Sequence, residues 1–203
     1  MSEQSDTGPF AFSAADEVLA KAIVAKYPAG RQQSAVMPLL DLAQRRLDGR
    51  LSQAAIEYVA QYLGMPRIRV MEVVSFYTMY NTGPVGRHLV QVCTTTPCWL
   101  RGSDAIVAAC EAHLGVTCGE TTADGAFTLR EVECLGACVN APMMQIGDDY
   151  YEDLDPQSVV RVLKALGQGE APPAGSQSGR QTSAPAGGPT TLTTLGSPGV
   201  AGE

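Results

Sequence analysis

The chain has 203 residues, of which 14 are Lys or Arg and 21 are Asp or Glu, so its formal net charge is −7. It has no run of basic residues to bind a phosphate backbone, which argues against a nucleic-acid partner. No apolar run approaches the ~20 residues that cross a bilayer, and the N-terminus lacks a charged region followed by an apolar one. We therefore expect a cytoplasmic chain with no direct membrane insertion, whose six cysteines stay reduced and are available for metal or redox chemistry.

Residues 14–82 carry apolar side chains at helical spacing, which predicts a small bundle of four helices behind a flexible N-terminus at residues 1–13. Stretches with glycine or proline separate the helices. Ser52 is the expected N-cap of the third helix, and the fourth is predicted at about Arg67–Met79. The predicted apolar stripes of the four helices are Val18, Leu19, Ala22 and Ile23; Val36, Leu39, Leu40, Ala43 and Leu47; Ile56, Val59, Ala60 and Leu63; and Val70, Val73, Val74 and Tyr77.

The pattern changes at residue 83, where alternating β-rich stretches and helical stretches predict a small α/β domain at residues 83–167. The fold class is therefore α+β, with a small N-terminal helical bundle followed by a sheet covered by helices. The predicted elements are strands at His88–Val92 and Ala126–Val132, a hairpin of Pro142–Ile146 with Tyr150–Tyr151, a helix at Asp104–Leu114 and a last helix that Asp155 caps and Pro156 opens.

Four of the six cysteines fall into two short groups, each in a loop that follows a predicted strand. Four residues separate Cys93 from Cys98, and three separate Cys134 from Cys138. Four thiolates hold either zinc or an iron–sulfur cluster. The first gap lies at the edge of the spacing typical of structural zinc sites, whereas a [2Fe–2S] core takes two thiolates per iron and suits two separated pairs.

Residues around these groups are expected to support a buried negative charge. Thr94–Thr96 and Gly136 provide hydroxyl groups and accessible amides, which such a charge requires. Cys110 and Cys118 lie outside the two groups and are interpreted as a buried small residue and a bystander. No nucleotide-binding fingerprint occurs, so any flavin or nicotinamide belongs on a partner. The apolar residues expected to exclude water are Leu135, Ala137, Val139 and Met143.

Residues 167–203 hold nine of the 21 glycines and five of the 13 prolines, with few large apolar side chains. Such a segment buries too little apolar surface to offset its ordering entropy. The composition therefore predicts a disordered tail at residues 168–203. Removal of residues 170–203 is accordingly expected to leave a cysteine-bound cluster intact.

A series of motifs occurs in a fixed order along the chain. The motifs are Phe76-Tyr77, Pro84-x-Gly86, Val92-Cys93-x4-Cys98, Gly119-Glu-Thr-Thr-x-Asp-Gly125 and Glu133-Cys134-Leu-Gly-Ala-Cys138-x-x-Ala141-Pro142. From about Ala14 to Leu166 the chain resembles one known family, the 24-kDa subunits of the proton-pumping NADH:quinone oxidoreductase, respiratory complex I. The resemblance implies a thioredoxin-like [2Fe-2S] ferredoxin domain at residues 83–167, behind the helical domain.

The resemblance also implies a function. One [2Fe–2S] cluster would be held by Cys93, Cys98, Cys134 and Cys138, beside the FMN of an NADH-oxidising flavoprotein subunit. The chain would transfer electrons as part of an oxidoreductase of the respiratory chain, with no catalytic residue and no complete active site of its own. It would contact other peripheral-arm subunits and lie on the cytoplasmic side of the inner membrane through the complex.

Two other functions stay open at this point. The same ligand motif suits the equivalent diaphorase subunit of an NAD-dependent formate dehydrogenase or hydrogenase, because a shared NADH module imposes the same chemistry. A zinc-stapled adaptor without a redox role is the third candidate, and it predicts a colourless protein with one zinc per chain.

Overall fold

The structure, a computed structural model, describes residues 8–185, 187–188 and 190–191. Residues 1–7 of the predicted flexible N-terminus, and residues 186, 189 and 192–203 of the predicted tail, lie outside the described part. The chain divides into two compact units, Met1–Arg87 and His88–Glu203. In the described part of both units, no helix has the length and apolar character needed to cross a bilayer.

The first unit contains the four predicted helices. The apolar stripes predicted for the second and third helices are confirmed, because Leu39, Leu40, Ile56 and Val59 are fully buried in one core. The helices are α1 at Ala14–Val24, α2 at Val36–Arg46 after a 3-10 turn at Gln32–Ala35, α3 at Gln53–Leu63, and α4 at Arg67–Phe76.

The stripe predicted for α1 is confirmed for Ile23, which packs partly against the core, but is wrong for the first turns of the helix. Val18 and Leu19 are 68% and 48% exposed, whereas Asp16 and Ala20 are buried. Asp16 faces inward because Arg46 of α2 reaches it, with Nη2 2.7 Å from Oδ1. The hydrogen bond from Arg46 is the largest cause that lowers the pKa of Asp16. The ion pair of the buried Asp16 thus helps to decide which face of α1 is internal. Apolar periodicity cannot predict such a pair.

The N-terminal segment just before α1 packs against the same core. Phe12 is buried and contacts Tyr58 edge-to-face, with 5.2 Å between ring centroids. Phe10 makes a similar contact with Tyr58 at 5.5 Å. These contacts differ from the flexibility predicted for residues 1–13, because two aromatic rings bury enough apolar area to order a short segment.

The N-cap of α3 is the predicted Ser52. Its hydroxyl accepts a hydrogen bond of 3.0 Å from the backbone amide of Ala55, and the side chain is buried. We expect Ser52→Ala to lower the free energy of unfolding by about 1 kcal/mol, because a helix amide loses its partner. Urea denaturation measures the change, and Ser52→Thr, which keeps the hydroxyl, is the control. An unchanged midpoint for Ser52→Ala would show that the cap contributes nothing.

The second unit combines strands and helices. Its strands are β1 at His88–Cys93, β2 at Phe127–Val132, β3 at Met144–Ile146, β4 at Asp149–Glu152 and β5 at Gly175–Ser176, and its helices are α5 at Thr96–Leu100, α6 at Ser103–Leu114 and α7 at Pro156–Gly167. Among the described residues the strands form a five-stranded sheet with the order β2-β1-β3-β4-β5. β1 pairs with β2 in parallel and with β3 antiparallel, and β3 and β4 form the predicted hairpin.

The core of this unit lies between the sheet and two helices. α6 packs against α7, β1 and β2, and the predicted cap Asp155 forms a reciprocal capping box with Ser158 at the start of α7. The Ala141–Pro142 peptide bond that enters β3 is cis. Because β1 and β2 are parallel, their carboxyl ends meet at one edge of the sheet. The largest fully buried side chains of this core are Val90, Val92, Ile106, Leu129, Met144 and Leu163.

Part of the predicted disordered tail is ordered in the structure. β5 pairs in parallel with β4, with Tyr151 opposite Gly175 and Glu152 opposite Ser176. This differs from the disorder predicted for residues 168–203, which was based on the small number of large apolar side chains in that segment. Backbone pairing and polar side-chain contacts order the described part instead, and neither can be predicted from composition.

Candidate metal centre

All four cysteines of the predicted ligand set lie at the edge where β1 and β2 end. Cys93 is the last residue of β1 and is opposite Val132 in the register with β2. Cys98 lies in the short helix α5. Cys134 follows β2 by two residues, and Cys138 begins a 3-10 turn at residues 138–140. The parallel pairing of two strands therefore brings together two cysteine groups that are far apart in sequence.

The loop that holds Cys134 and Cys138, the second cysteine loop, packs against the loop that holds Cys93 and Cys98, the first cysteine loop. The Sγ atoms of Cys134 and Cys138 are 3.6 Å apart. Leu135 and Ala137 of the second cysteine loop lie against Cys93 and Cys98. The two cysteine pairs are therefore neighbours in the structure.

The two pairs differ in their burial. Cys93 and Cys98 are only 2% and 1% exposed, whereas Cys134 and Cys138 are exposed to solvent. Of the apolar residues predicted to exclude water, Met143 is buried and Leu135 and Ala137 are half-buried against the first pair. Val139 is 66% exposed, so the prediction is wrong for this residue. The site therefore has an enclosed side and an open side.

The environment of the enclosed pair shifts the pKa values of its two thiols in opposite directions. Burial raises the pKa of Cys93, but hydrogen bonds from the Thr95 hydroxyl, whose Oγ1 is 3.2 Å from Sγ, and from the Leu135 amide outweigh burial and lower it. Burial, followed by the effect of Cys93, raises the pKa of Cys98 to about 12. Four thiolates this close repel one another, and metal cations remove that repulsion.

The chemistry of this donor set fits a [2Fe–2S] cluster. Such a cluster requires four cysteine thiolates, two for each iron, and the site provides two adjacent pairs within one group. Among the residues that the structure describes, no three His, Cys, Asp or Glu side chains are placed to hold a single metal ion. Cys93 and Cys98 would hold the enclosed iron, and Cys134 and Cys138 the open one.

The conformation of the second loop depends on residues beyond the four cysteines. Gly136 has a φ of +86°, a region that favours glycine. The hydroxyl of Tyr150 on β4 donates a 2.9 Å hydrogen bond to the carbonyl of Leu135. Gly136 is recognisable from its position between the two cysteines, but Tyr150 is not, because nothing in a strand tyrosine indicates a contact with a distant loop.

The two remaining cysteines are separate from this group. Cys110 of α6 is fully buried in the sheet core, as predicted, and Cys118 packs partly against that core. Burial raises the pKa of Cys110 to about 12 and also raises that of Cys118. Both thiols are therefore protonated at neutral pH and are weak nucleophiles.

The sheet, with the grouped thiols at one edge, defines a small thioredoxin-like iron–sulfur protein. The family model of the thioredoxin-like [2Fe-2S] ferredoxin matches residues 20–167, so the chain belongs to this family. The predicted fold class is thereby confirmed.

Two relatives that match along most of their length are named as parts of NADH-oxidising enzymes. The chain is 55% identical over 155 residues to a protein of Rickettsia prowazekii (strain Madrid E) that is named as a subunit of NADH-quinone oxidoreductase, and the match covers 76% of this chain and 88% of the relative. It is 48% identical over 190 residues to the mitochondrial NADH dehydrogenase [ubiquinone] flavoprotein 2 of Dictyostelium discoideum. This match covers 94% of this chain and 77% of the relative. The predicted resemblance to a subunit of this oxidoreductase is therefore confirmed.

One solved structure supports the fold alone. A chain of NAD+-reducing [NiFe]-hydrogenase in the H2-reduced state matches with a TM-score of 0.56 and 21% identity. The match covers 66% of this chain but 23% of the hydrogenase chain. This chain therefore spans less than a quarter of that hydrogenase chain.

Proposed function

We propose that this chain is the electron-transfer subunit of an NADH:quinone oxidoreductase, and that Cys93, Cys98, Cys134 and Cys138 hold its single [2Fe–2S] cluster. The observation that carries the proposal is that the two cysteine pairs lie at one sheet edge, with the second cysteine loop packed against Cys93 and Cys98. Family membership supports the identity of the cluster. The names of relatives that match along most of their length support the parent complex.

When bound, the cluster supplies a centre that takes up and releases one electron at a time. The protein residues hold it and control its surroundings. Cys93 and Cys98 lie with Met143 in an apolar pocket, which keeps water from one side. The hydroxyl of Thr95 and the amide of Leu135 stabilise negative charge on Cys93. Low polarity and sulfur-directed hydrogen bonds are the features that set the potential of such a centre.

We further propose that the open side of the site meets the flavoprotein subunit, which carries FMN and binds NADH. Three apolar side chains that follow cysteines in the sequence are exposed, Trp99 at 57% and Leu100 at 71% after Cys98, and Val139 at 66% after Cys138. Aromatic and aliphatic groups of this kind are typical of protein interfaces. Contact at this edge would place Cys134 and Cys138 nearest to the FMN, and the chain would join the other peripheral-arm subunits on the cytoplasmic side of the membrane.

The first experiment measures iron, zinc and acid-labile sulfide in an anaerobic preparation of the full chain, with an EPR spectrum at low temperature after dithionite reduction. We expect two irons, two sulfides and an S = 1/2 signal. One zinc without sulfide or signal would overturn the proposal in favour of the zinc-stapled adaptor. Mass spectrometry of subunits that co-purify then separates the quinone reductase from a formate dehydrogenase or hydrogenase.

The Thr95 hydroxyl provides a sharper test of how the site sets its potential. We expect Thr95→Val to lower the reduction potential by about 40 mV, the equivalent of about 1 kcal/mol for a one-electron couple. The reason is that reduction adds negative charge, which the hydroxyl at 3.2 Å from Cys93 Sγ stabilises. The exposed neighbour Thr96 provides the matched control, Thr96→Val, in a potentiometric EPR titration. Equal potentials for both variants would contradict the assignment.

A further inference from the structure

The segment that follows α7 reaches back to the second cysteine loop. We call residues 171–184 the clamp segment. Its strand β5 pairs with β4, and the backbone amide of Gln177 donates a 2.8 Å hydrogen bond to the backbone carbonyl of Glu152. Since β4 carries Tyr150, which bonds the second cysteine loop, the clamp segment extends the part of the sheet on which that loop rests.

An ion pair with little solvent access fixes the segment. The side chains of Arg180 and Asp153 are each only 11% exposed. Arg180 Nε lies 3.0 Å from Asp153 Oδ2, and its Nη2 makes a second bond to Oδ1. The hydroxyl of Ser176 donates a 2.6 Å hydrogen bond to the same carboxylate. Burial raises the pKa of Asp153, but these hydrogen bonds outweigh burial and lower it, so the pair is charged at neutral pH.

The same arginine contacts the backbone beside a predicted ligand. Arg180 Nη2 donates a 3.0 Å hydrogen bond to the carbonyl of Val139, the residue after Cys138. One residue further, the side-chain amide of Asn140 donates a 2.8 Å hydrogen bond to the carbonyl of Thr182. The backbone amide of Asp153 bonds to the carbonyl of Asn140 at 2.7 Å. The 3-10 turn that begins at Cys138 is thus held from two sides by hydrogen bonds.

Apolar packing restrains only part of the second cysteine loop. Leu135 and Ala137 are half-buried against the first pair, whereas Cys134, Gly136, Cys138 and Val139 are all exposed. Little apolar burial offsets the entropy of the exposed residues, so hydrogen bonds are needed to restrain them.

We propose that the clamp segment fixes the second cysteine loop and that Arg180 is a positioning residue for Cys134 and Cys138. The inference depends on the proposed function, because it assigns the role with respect to the cluster that these cysteines would hold. It also reverses the sequence-based expectation that removal of residues 170–203 leaves the cluster intact.

The first test uses the full chain with Arg180→Met and a matched control, Arg161→Met, at an exposed position of α7. Hydrogen exchange is measured in metal-free protein for residues 134–141, for α6 and for the first cysteine loop. For Arg180→Met we expect exchange in residues 134–141 to accelerate about tenfold, with α6 unchanged, because a local restraint is lost rather than the fold. Acceleration in α6 as well would show a general structural role and would overturn the positioning role.

The second test uses two truncated chains, one ending at Glu170 and one ending at Pro185, which keeps every contact described above. With the cluster loaded, we expect the chain ending at Glu170 to lose iron to a chelator about tenfold faster than the chain ending at Pro185, as for loss of a residue that orients a metal ligand. Equal rates would overturn the proposal. If the full chain held no iron and sulfide, the proposed function would fail, whereas hydrogen exchange in the metal-free chain would still decide whether the clamp exists.

Discussion

Replacing Cys98 by alanine is expected to lower the affinity of the chain for the cluster by about 100-fold or more, since even residues that only orient a metal ligand contribute 10–100-fold. Cys98 is 1% exposed, so bulk water does not reach the vacated position to replace the thiolate as a ligand. Alanine is chosen because a serine oxygen would serve as a substitute ligand. Iron and acid-labile sulfide per chain, after anaerobic reconstitution, measure the loss.

Three further variants separate ligand loss from misfolding. Cys138→Ala is expected to lose the cluster as well, although Cys138 is exposed and its truncation leaves no cavity. Cys118→Ala, at a half-buried thiol outside the group, is expected to keep full iron and sulfide, as is Cys110→Ala. Retention of the full cluster by Cys98→Ala and Cys138→Ala would contradict the ligand set, and loss in Cys118→Ala would show that the assignment is incomplete.

Leu39→Ala is expected to lower the free energy of unfolding by about 2–5 kcal/mol, the range for a buried leucine truncated to alanine. Leu39 of α2 is fully buried in the core of the helical unit. The loss combines the transfer free energy of the removed methyl groups with the cavity that they leave. Urea denaturation followed by circular dichroism measures the change.

The matched control is Leu19→Ala, the same substitution on α1. The apolar pattern of the sequence places Leu19 in a buried stripe, whereas the structure leaves it 48% exposed. We expect a change within about 0.5 kcal/mol, as for most surface substitutions. A loss at Leu19 as large as that at Leu39 would show that the sequence pattern, rather than the structure, describes α1 correctly.

Local sequence patterns predicted much of the secondary structure but not all of it. Local patterns predicted the helices of the first unit and the strands β1, β2, β3 and β4, because periodicity and caps act over a few residues. The predicted end of α4 at Met79 was three residues too long, since the helix ends at Phe76. The short helix α5 and the strand β5 were not predicted, because neither has an apolar period of its own.

Within the candidate site, the sequence identified the four cysteines, because thiols in two closely spaced groups are rare without a metal or redox role. It also singled out the hydroxyl-rich stretch that contains Thr95. The roles of Tyr150, Asp153 and Arg180 were not predictable, because each acts through a contact with a residue more than ten positions away along the chain.

The sequence by itself determined the family of this protein. The number, type and spacing of its cysteines are local properties, and together with the surrounding motifs they indicate the family. Only the tertiary structure decided which pair of thiols is enclosed and which is open, and that the chain after α7 returns to the second loop. The physical reason is that burial and long-range hydrogen bonds depend on how the strands pair and not on composition.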